Sequence, residues 1–204
     1  MKFSDTGLPS HPAIEKSFDV LRQFDNGDAY TTRGVLIAKL IADHGANKDP
    51  EAIAAGLLVP LAQDLGPFLC AKADVPGRVP EIIESIFAFG KQTMTGAAMD
   101  KTYAELDPAV RSVVLASSVR MMEVTAEDLK NSLGNTEPAQ APDKKDITAM
   151  LAPLRDFTDV VARNETEELA LAKKLQAVMK RIEDTLDGAG IKLNPAARPN
   201  TPKI

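Results

Sequence analysis

An almost uninterrupted run of apolar residues from Ile53 to Ala62 constrains this chain more than any other feature. It follows Asp49 and Pro50, a pair typical of a helix start, because aspartate can accept from free N–H groups and proline needs no donor there. A helix built from this run is apolar all round, so other elements must cover it. We therefore expect a central, buried helix, which Pro60 should kink or interrupt.

Helical spacing of apolar residues recurs on both sides of this run, whereas no segment alternates apolar and polar residues over the length of a strand. The sequence therefore predicts an all-α fold. An aspartate followed by a proline again predicts a helix start at Asp107. Pro153 should interrupt the helix that contains it. The predicted helices cover residues 10–24, 35–44, 80–90, 108–122, a short one starting at 125–128, 147–161 and 164–186.

Residues 133–145 form a polar stretch with glycine and proline and little to bury, which is typical of a linker. We therefore predict a helical domain over 10–132, a linker over 133–145 and a C-terminal helical segment over 146–190. Residues 191–204 contain three prolines and are predicted to be a flexible tail.

Charge and composition indicate which classes of binding partner and which cellular environment to expect. A net charge of −5 and a pI near 5.1 offer no basic face, so no nucleic-acid partner is expected. No stretch reaches the ~18 apolar residues that span a bilayer, and the first residues lack the apolar run of a signal peptide. Cys70 is the only cysteine, which excludes an internal disulfide and favours the reducing cytoplasm. We expect a soluble, cytoplasmic protein in which Cys70 is a core residue.

Three blocks, residues 27–38, 53–64 and 115–122, carry a spaced pattern of glycine, tyrosine and small apolar residues. The pattern resembles the hydrolase domain of the RelA/SpoT alarmone family, a branch of the HD-domain phosphohydrolases. Members show G-x-P-Y, then H-P-x-x-V-A, a run like I-A-A-A-L-L-H-D-x-x-E-D, and later L-A-D-R-L-H-N-M. The resemblance covers about half of the chain. It implies an HD-like helical bundle with a C-terminal helical extension.

The family's metal-binding side chains are missing from these blocks. The resemblance implies a metal held by one histidine, an adjacent His-Asp pair and a distant aspartate. Here the positions hold Arg33, Val59, Pro60 and Ser117. Valine and proline cannot bind a metal, and the permanent charge of an arginine opposes it. We therefore expect no catalytic residue, no metal and no cofactor, as in a pseudo-phosphohydrolase.

The remaining positions of the implied pocket keep few of the side chains that the resemblance implies for hydrolysis and base binding. The family's assisting acidic pair has become Gln63 and Asp64, and its base-binding arginine corresponds to Phe24. Arg33 either bridges to Asp64, binds an anion or is solvated at a helix start, while Ser117 is a buried replacement rather than a nucleophile. The degenerate pocket comprises Tyr30, Arg33, Val59, Pro60, Gln63, Asp64 and Ser117.

The last predicted helix is the best candidate for a contact with another protein. Its apolar residues are spaced almost as in a coiled coil, at positions 171, 175, 178, 182 and 186. The helix either meets a protein partner or a second copy, or folds back on its own domain. The leading function is thus a catalytically inactive binding, regulatory or structural module. The alternatives are a nucleotide-binding regulator, a phosphohydrolase with an altered site, and a subunit of a larger assembly.

Overall fold

The computed structural model describes residues 1–24, 28–46, 48–67, 73–91, 97–135 and 144–191. Within these ranges all regular structure is helical and no strand occurs, which confirms the predicted all-α class. A short 3-10 turn at Phe3–Asp5 precedes the α-helices. These are α1 (Pro12–Phe24), α2 (Ala29–His44), α3 (Pro50–Leu65), α4 (Val79–Lys91), α5 (Ala97–Ala104), α6 (Pro108–Asn135), α7 (Lys144–Asn164) and α8 (Leu169–Gly188).

The two Asp-Pro pairs start helices as the sequence predicts. Asp49 Oδ1 accepts from the N–H of Glu51 at 2.8 Å at the start of α3. Asp107 Oδ1 accepts from the N–H of Ala109 at 2.9 Å at the start of α6. Each carboxylate satisfies a donor that the helix itself leaves without a partner and complements the positive end of the helix dipole.

Pro60 and Pro153 both lie inside continuous helices. The predicted interruption at Pro153 is therefore wrong, and of the two alternatives for Pro60, a kink or an interruption, the interruption is wrong and the kink stays a prediction. A proline inside a helix costs about 3 kcal/mol in lost hydrogen bonding and steric conflict. In α3 the whole stretch from Ala52 to Ala62 is buried. Each fully buried leucine, isoleucine or valine side chain contributes about 1.5–3 kcal/mol, so several together outweigh one proline.

Two predicted helix starts are also wrong, for a shared reason. Thr125 lies inside α6, where its hydroxyl donates to the carbonyl of Met121 at 3.0 Å instead of capping a new helix. Asn164 ends α7, and its side-chain amide donates to the carbonyl of Val160 at 2.9 Å. Short polar side chains cap helices or bond back within them, and the local sequence does not decide between the two.

Other boundaries differ from the prediction as well. The second helix begins at Ala29 rather than at Val35, directly after Asp28, whose φ of 60° lies in the left-handed region. The short helix α5 was not predicted, because its residues show no sustained apolar spacing.

The chain divides into two compact units that are not continuous in sequence. The first unit contains Met1–Thr93, Leu106–Arg120 and Thr166–Leu171. In it α3 packs against α1, α2 and α4, so the predicted central, buried helix is confirmed.

The second unit contains Met94–Glu105, Met121–Glu165 and Ala172–Ile204. Here α5 packs on α7, and Tyr103, which has no exposed surface, meets the ring of Phe157 edge-on at 5.9 Å. The predicted division into 10–132, 133–145 and 146–190 stays a prediction.

Some predictions concern residues outside the described ranges. Cys70, most of the predicted linker and the tail after Ile191 are among them. In the part of the chain that the structure describes, no helix has the length and hydropathy needed to cross a bilayer.

Candidate functional site

The seven residues of the predicted pocket all belong to the first unit, on three of its helices. Tyr30 and Arg33 lie in the first two turns of α2, and Ser117 lies in α6. The other four lie in the second half of α3, at Val59, Pro60, Gln63 and Asp64.

Val59 and Pro60 are interior residues of α3. Val59 has no exposed surface, and Pro60 is buried as well. These are the positions at which the resemblance implies the adjacent histidine and aspartate. Both positions are therefore shielded from solvent, and neither side chain has a lone pair to offer a cation.

Arg33 is exposed, and its guanidinium carbon lies 5.8 Å from the centre of the half-buried Tyr30 ring. This separation is within the range of a cation–π contact. Gln63 and Asp64 are exposed near the end of α3. Among the described residues no ion pair joins Arg33 to Asp64, so the first of the three predicted alternatives for Arg33 is not formed.

Ser117 has a buried hydroxyl oxygen with no hydrogen-bond partner among the described residues. The residue as a whole is half-buried. Its role as a replacement for an aspartate stays a prediction.

A polar junction that the sequence did not predict lies where three helices of the first unit begin. Glu51 Oε1 in α3 accepts from the N–H of Arg78, just before α4, at 3.1 Å. The guanidinium of Arg78 in turn donates to Asp107 Oδ2, just before α6, at 2.9 Å. A pocket of about 180 Å³ lies at this junction and is lined by Asp49, Arg78, Asp107, Pro108, Ala109 and Ser112.

A buried carboxylate adds a fourth segment to this junction. Glu168 is 1% exposed, and its Oε2 accepts from the N–H of Ala46 at 3.0 Å. Its Oε1 lies 2.5 Å from the hydroxyl of Ser112, which is also 3.1 Å from the carbonyl of Pro108. A hydroxyl has one proton, and the charged acceptor at the shorter distance takes it.

The pair Arg78–Asp107 shifts the ionisation of both partners. The pKa of Asp107 is lowered: partial burial opposes its charge, but the hydrogen bonds from Arg78 and from the N–H of Ala109 outweigh this effect. The pKa of Arg78 is raised, first by its hydrogen bond to Asp107 and then by the charge of that carboxylate. Both groups are therefore charged at neutral pH.

The carboxylates of the junction satisfy backbone donors at the starts of helices. Asp49, Glu51 and Asp107 each accept from a backbone N–H at or beside the start of a helix. Anions of the chain itself therefore already occupy the positions where a helix start would attract a free anion. The signals for Asp49 and Asp107 are local Asp-Pro pairs, but nothing in the local sequence links Glu168 to Ala46.

The second unit has an open groove of about 370 Å³ between α7 and α8. Arg155 Nε lies 3.5 Å from Glu183 Oε1 across it. Its lining carries four carboxylates against two cations and comprises Arg155, Thr158, Asp159, Gln176, Met179, Lys180, Glu183, Asp184 and Asp187.

The apolar seam predicted on α8 is buried. All of its members, Leu171, Leu175, Val178, Ile182 and Leu186, are at most 8% exposed. The side of α8 that faces solvent is therefore the charged one, which includes Lys173 and Lys180.

Comparison with family models, with curated proteins and with solved structures gave no match for this chain. Within the described ranges, no group of three or more histidine, cysteine, aspartate or glutamate side chains is placed to hold a metal ion.

Proposed function

We propose that this chain is a non-catalytic helical module, similar in pattern to the RelA/SpoT-type hydrolase domain, that acts in the cytoplasm through protein contacts. The interior of α3 carries the proposal. Val59 and Pro60 stand where the resemblance implies two metal-binding side chains, and both are buried among apolar residues. A catalytic metal needs about three protein ligands, and Arg33 adds a permanent positive charge at another of the positions.

Metal content and turnover test the absence of catalysis. The purified full chain should contain far less than one equivalent of Mn, Zn, Fe or Co by mass spectrometry of the elements. It should not hydrolyse guanosine polyphosphates when Mn²⁺ is added. Asp64→Asn removes the carboxylate that survives at the position of the acidic pair, and Asp43→Asn is the matched control on the exposed side of α2. Stoichiometric metal, or turnover that only Asp64→Asn abolishes, would overturn the proposal.

A nucleotide-binding regulator is the second candidate, and the exposed pair Tyr30 and Arg33 favours it. A guanidinium beside an aromatic ring at the start of a helix offers charge to a phosphate and a surface for a base. Ligand that binds only the folded chain stabilises it by about 2.7 kcal/mol at 100 times its Kd. Thermal unfolding with guanine nucleotides and alarmones should then show a concentration-dependent shift that Arg33→Ala removes and Lys39→Ala keeps.

Protein contact through α8 would have to use its charged side, because the apolar seam is buried in the chain itself. Such a contact, with a second copy or with another subunit of an assembly, weakens as salt screens the charges. Light scattering after size exclusion at low and high salt measures self-association. Affinity capture with two baits, wild type and a Lys173→Glu/Lys180→Glu variant, tests for binding of a protein partner. Lys91→Glu on α4 is the matched control, since that residue is also exposed.

A further inference from the structure

Residues Thr166–Leu171 form a strap that belongs to the first unit, although the chain on both sides of it is grouped with the second. Within the strap, Glu168 and Leu171 are buried and the other residues are exposed. Two side chains of the strap are therefore shielded from solvent, and the hydrogen bonds of one of them, Glu168, go to residues of the first unit.

Glu168 fastens the strap to two separate elements at once. Its Oε2 accepts from the N–H of Ala46, between α2 and α3, and its Oε1 accepts from Ser112 in α6. The neighbouring pair of Glu167 and Arg111 is 3.8 Å apart, and Glu167 is 55% exposed, so solvent weakens that attachment.

One of the two residues that donate to Glu168 also lines the junction pocket. Ser112 is 4% exposed and lines the pocket together with Asp49, Arg78 and Asp107. The Ser112 hydroxyl donates to Glu168, so it becomes available to another acceptor only when the strap moves away.

We propose that the strap is a latch that opens locally, with Glu168 as its catch, and that opening uncovers Ser112 at the wall of the pocket. Local opening has a lower free energy than global unfolding wherever few buried contacts break. Opening of the strap exposes two buried side chains, those of Glu168 and Leu171. The packing of α3, which is buried from Ala52 to Ala62, stays intact.

Amide hydrogen exchange of the full chain by NMR tests the latch. In Glu168→Gln the amide of Ala46 should exchange roughly 10- to 100-fold faster, the factor expected when hydrogen bonds to a charged acceptor are lost. The amides of Leu57 and Leu58 in α3 should keep their rates. Glu167→Gln is the matched control and should leave Ala46 unchanged.

Two results would refute the latch: an unchanged rate at Ala46, or equal acceleration at Ala46 and Leu57, which would mean that the strap opens only when the whole unit unfolds. Should Glu168→Gln fail to fold, Ser112→Ala replaces it, with a smaller acceleration expected at Ala46 and none at Leu57.

Thiol labelling tests whether opening uncovers position 112. With Cys70→Ser as background, Ser112→Cys should react slowly with a soluble thiol reagent. It should react roughly tenfold faster when Glu168→Gln is added, because the reagent reaches the thiol only in the open state. Equal rates in the two backgrounds would refute the uncovering of Ser112.

Discussion

A Cβ atom on Gly34 of α2 would lie 2.3 Å from the carbonyl oxygen of Leu57 in α3. The obstacle is backbone in the buried part of α3, which cannot swing aside as a long side chain can. A second close approach is at Gly56, whose Cβ would lie 2.8 Å from Cδ1 of Ile41. The two helices therefore pack closely because glycine occupies the points where they come nearest.

Gly34→Ala should destabilise the first unit by about 1–3 kcal/mol, because α2 and α3 must separate to admit the methyl group. Gly90→Ala is the matched control, since nothing lies within 4 Å of its Cβ and the residue is in α4. Alanine there should stabilise by about 0.5–1 kcal/mol through helix propensity. Urea unfolding followed by circular dichroism measures both, and equal effects at the two sites would contradict the packing argument.

Ser17→Ala should leave stability unchanged or raise it by about 1 kcal/mol. Ser17 has no exposed surface, and its hydroxyl has no hydrogen-bond partner among the described residues. Removing a buried polar atom without a partner relieves its desolvation. Ser112→Ala is the contrast, because it deprives buried Glu168 of a donor and should cost about 1–3 kcal/mol. The prediction is wrong if Ser17→Ala is the more harmful of the two.

Asp107→Asn should lower stability at pH 7 by less than about 1 kcal/mol, since both ion-pair side chains are roughly half exposed and screened by water. Asparagine still caps α6, so the change isolates the charge. The pKa of Asp107 is lowered in the folded chain, so its contribution is present at neutral pH and is lost as the pH falls through the folded pKa. Urea unfolding should therefore find the difference from wild type shrinking below about pH 4. A difference that is constant from pH 7 to pH 3 would exclude the ionic origin.

Tyr103→Phe should destabilise the second unit by about 1–3 kcal/mol. The tyrosine hydroxyl donates to Glu165 at 2.5 Å, and that carboxylate is only 7% exposed. A double-mutant cycle with Glu165→Gln should return a coupling energy of at least ~0.5 kcal/mol, as contacting residues do. Additive effects of the two changes would mean that the hydrogen bond contributes nothing beyond packing.

The part of the fold that the sequence predicts is the part set by neighbours along the chain. Asp49 and Asp107 start helices because the capping carboxylate and the N–H that donates to it are two residues apart. The run from Ile53 to Ala62 is central because an all-apolar helix has no side that water tolerates. The seam on α8 is buried because one side of that helix is apolar, but the sequence could not decide whether this chain or a partner covers it.

The features of the fold that the sequence did not predict depend on contacts between residues far apart in sequence. Arg78 meets Asp107 across 29 positions, and no local pattern selects that aspartate from the other carboxylates. For the candidate site, the burial of Val59 and Pro60 follows from the apolar run. The convergence of those residues with Arg33 and Ser117 on one pocket stays a prediction.

The hydrogen bond from Ala46 to Glu168 spans 122 positions, which sets an order of events during synthesis. A ribosome delivers residues one after another, so α1 to α4 emerge long before the carboxylate that completes their unit. Contacts of such high sequence separation slow folding, because a large loop must close before they form. The first unit can therefore reach its final form only after most of the chain has been translated. Until then, the N–H of Ala46 and the hydroxyl of Ser112 cannot form their hydrogen bonds to Glu168.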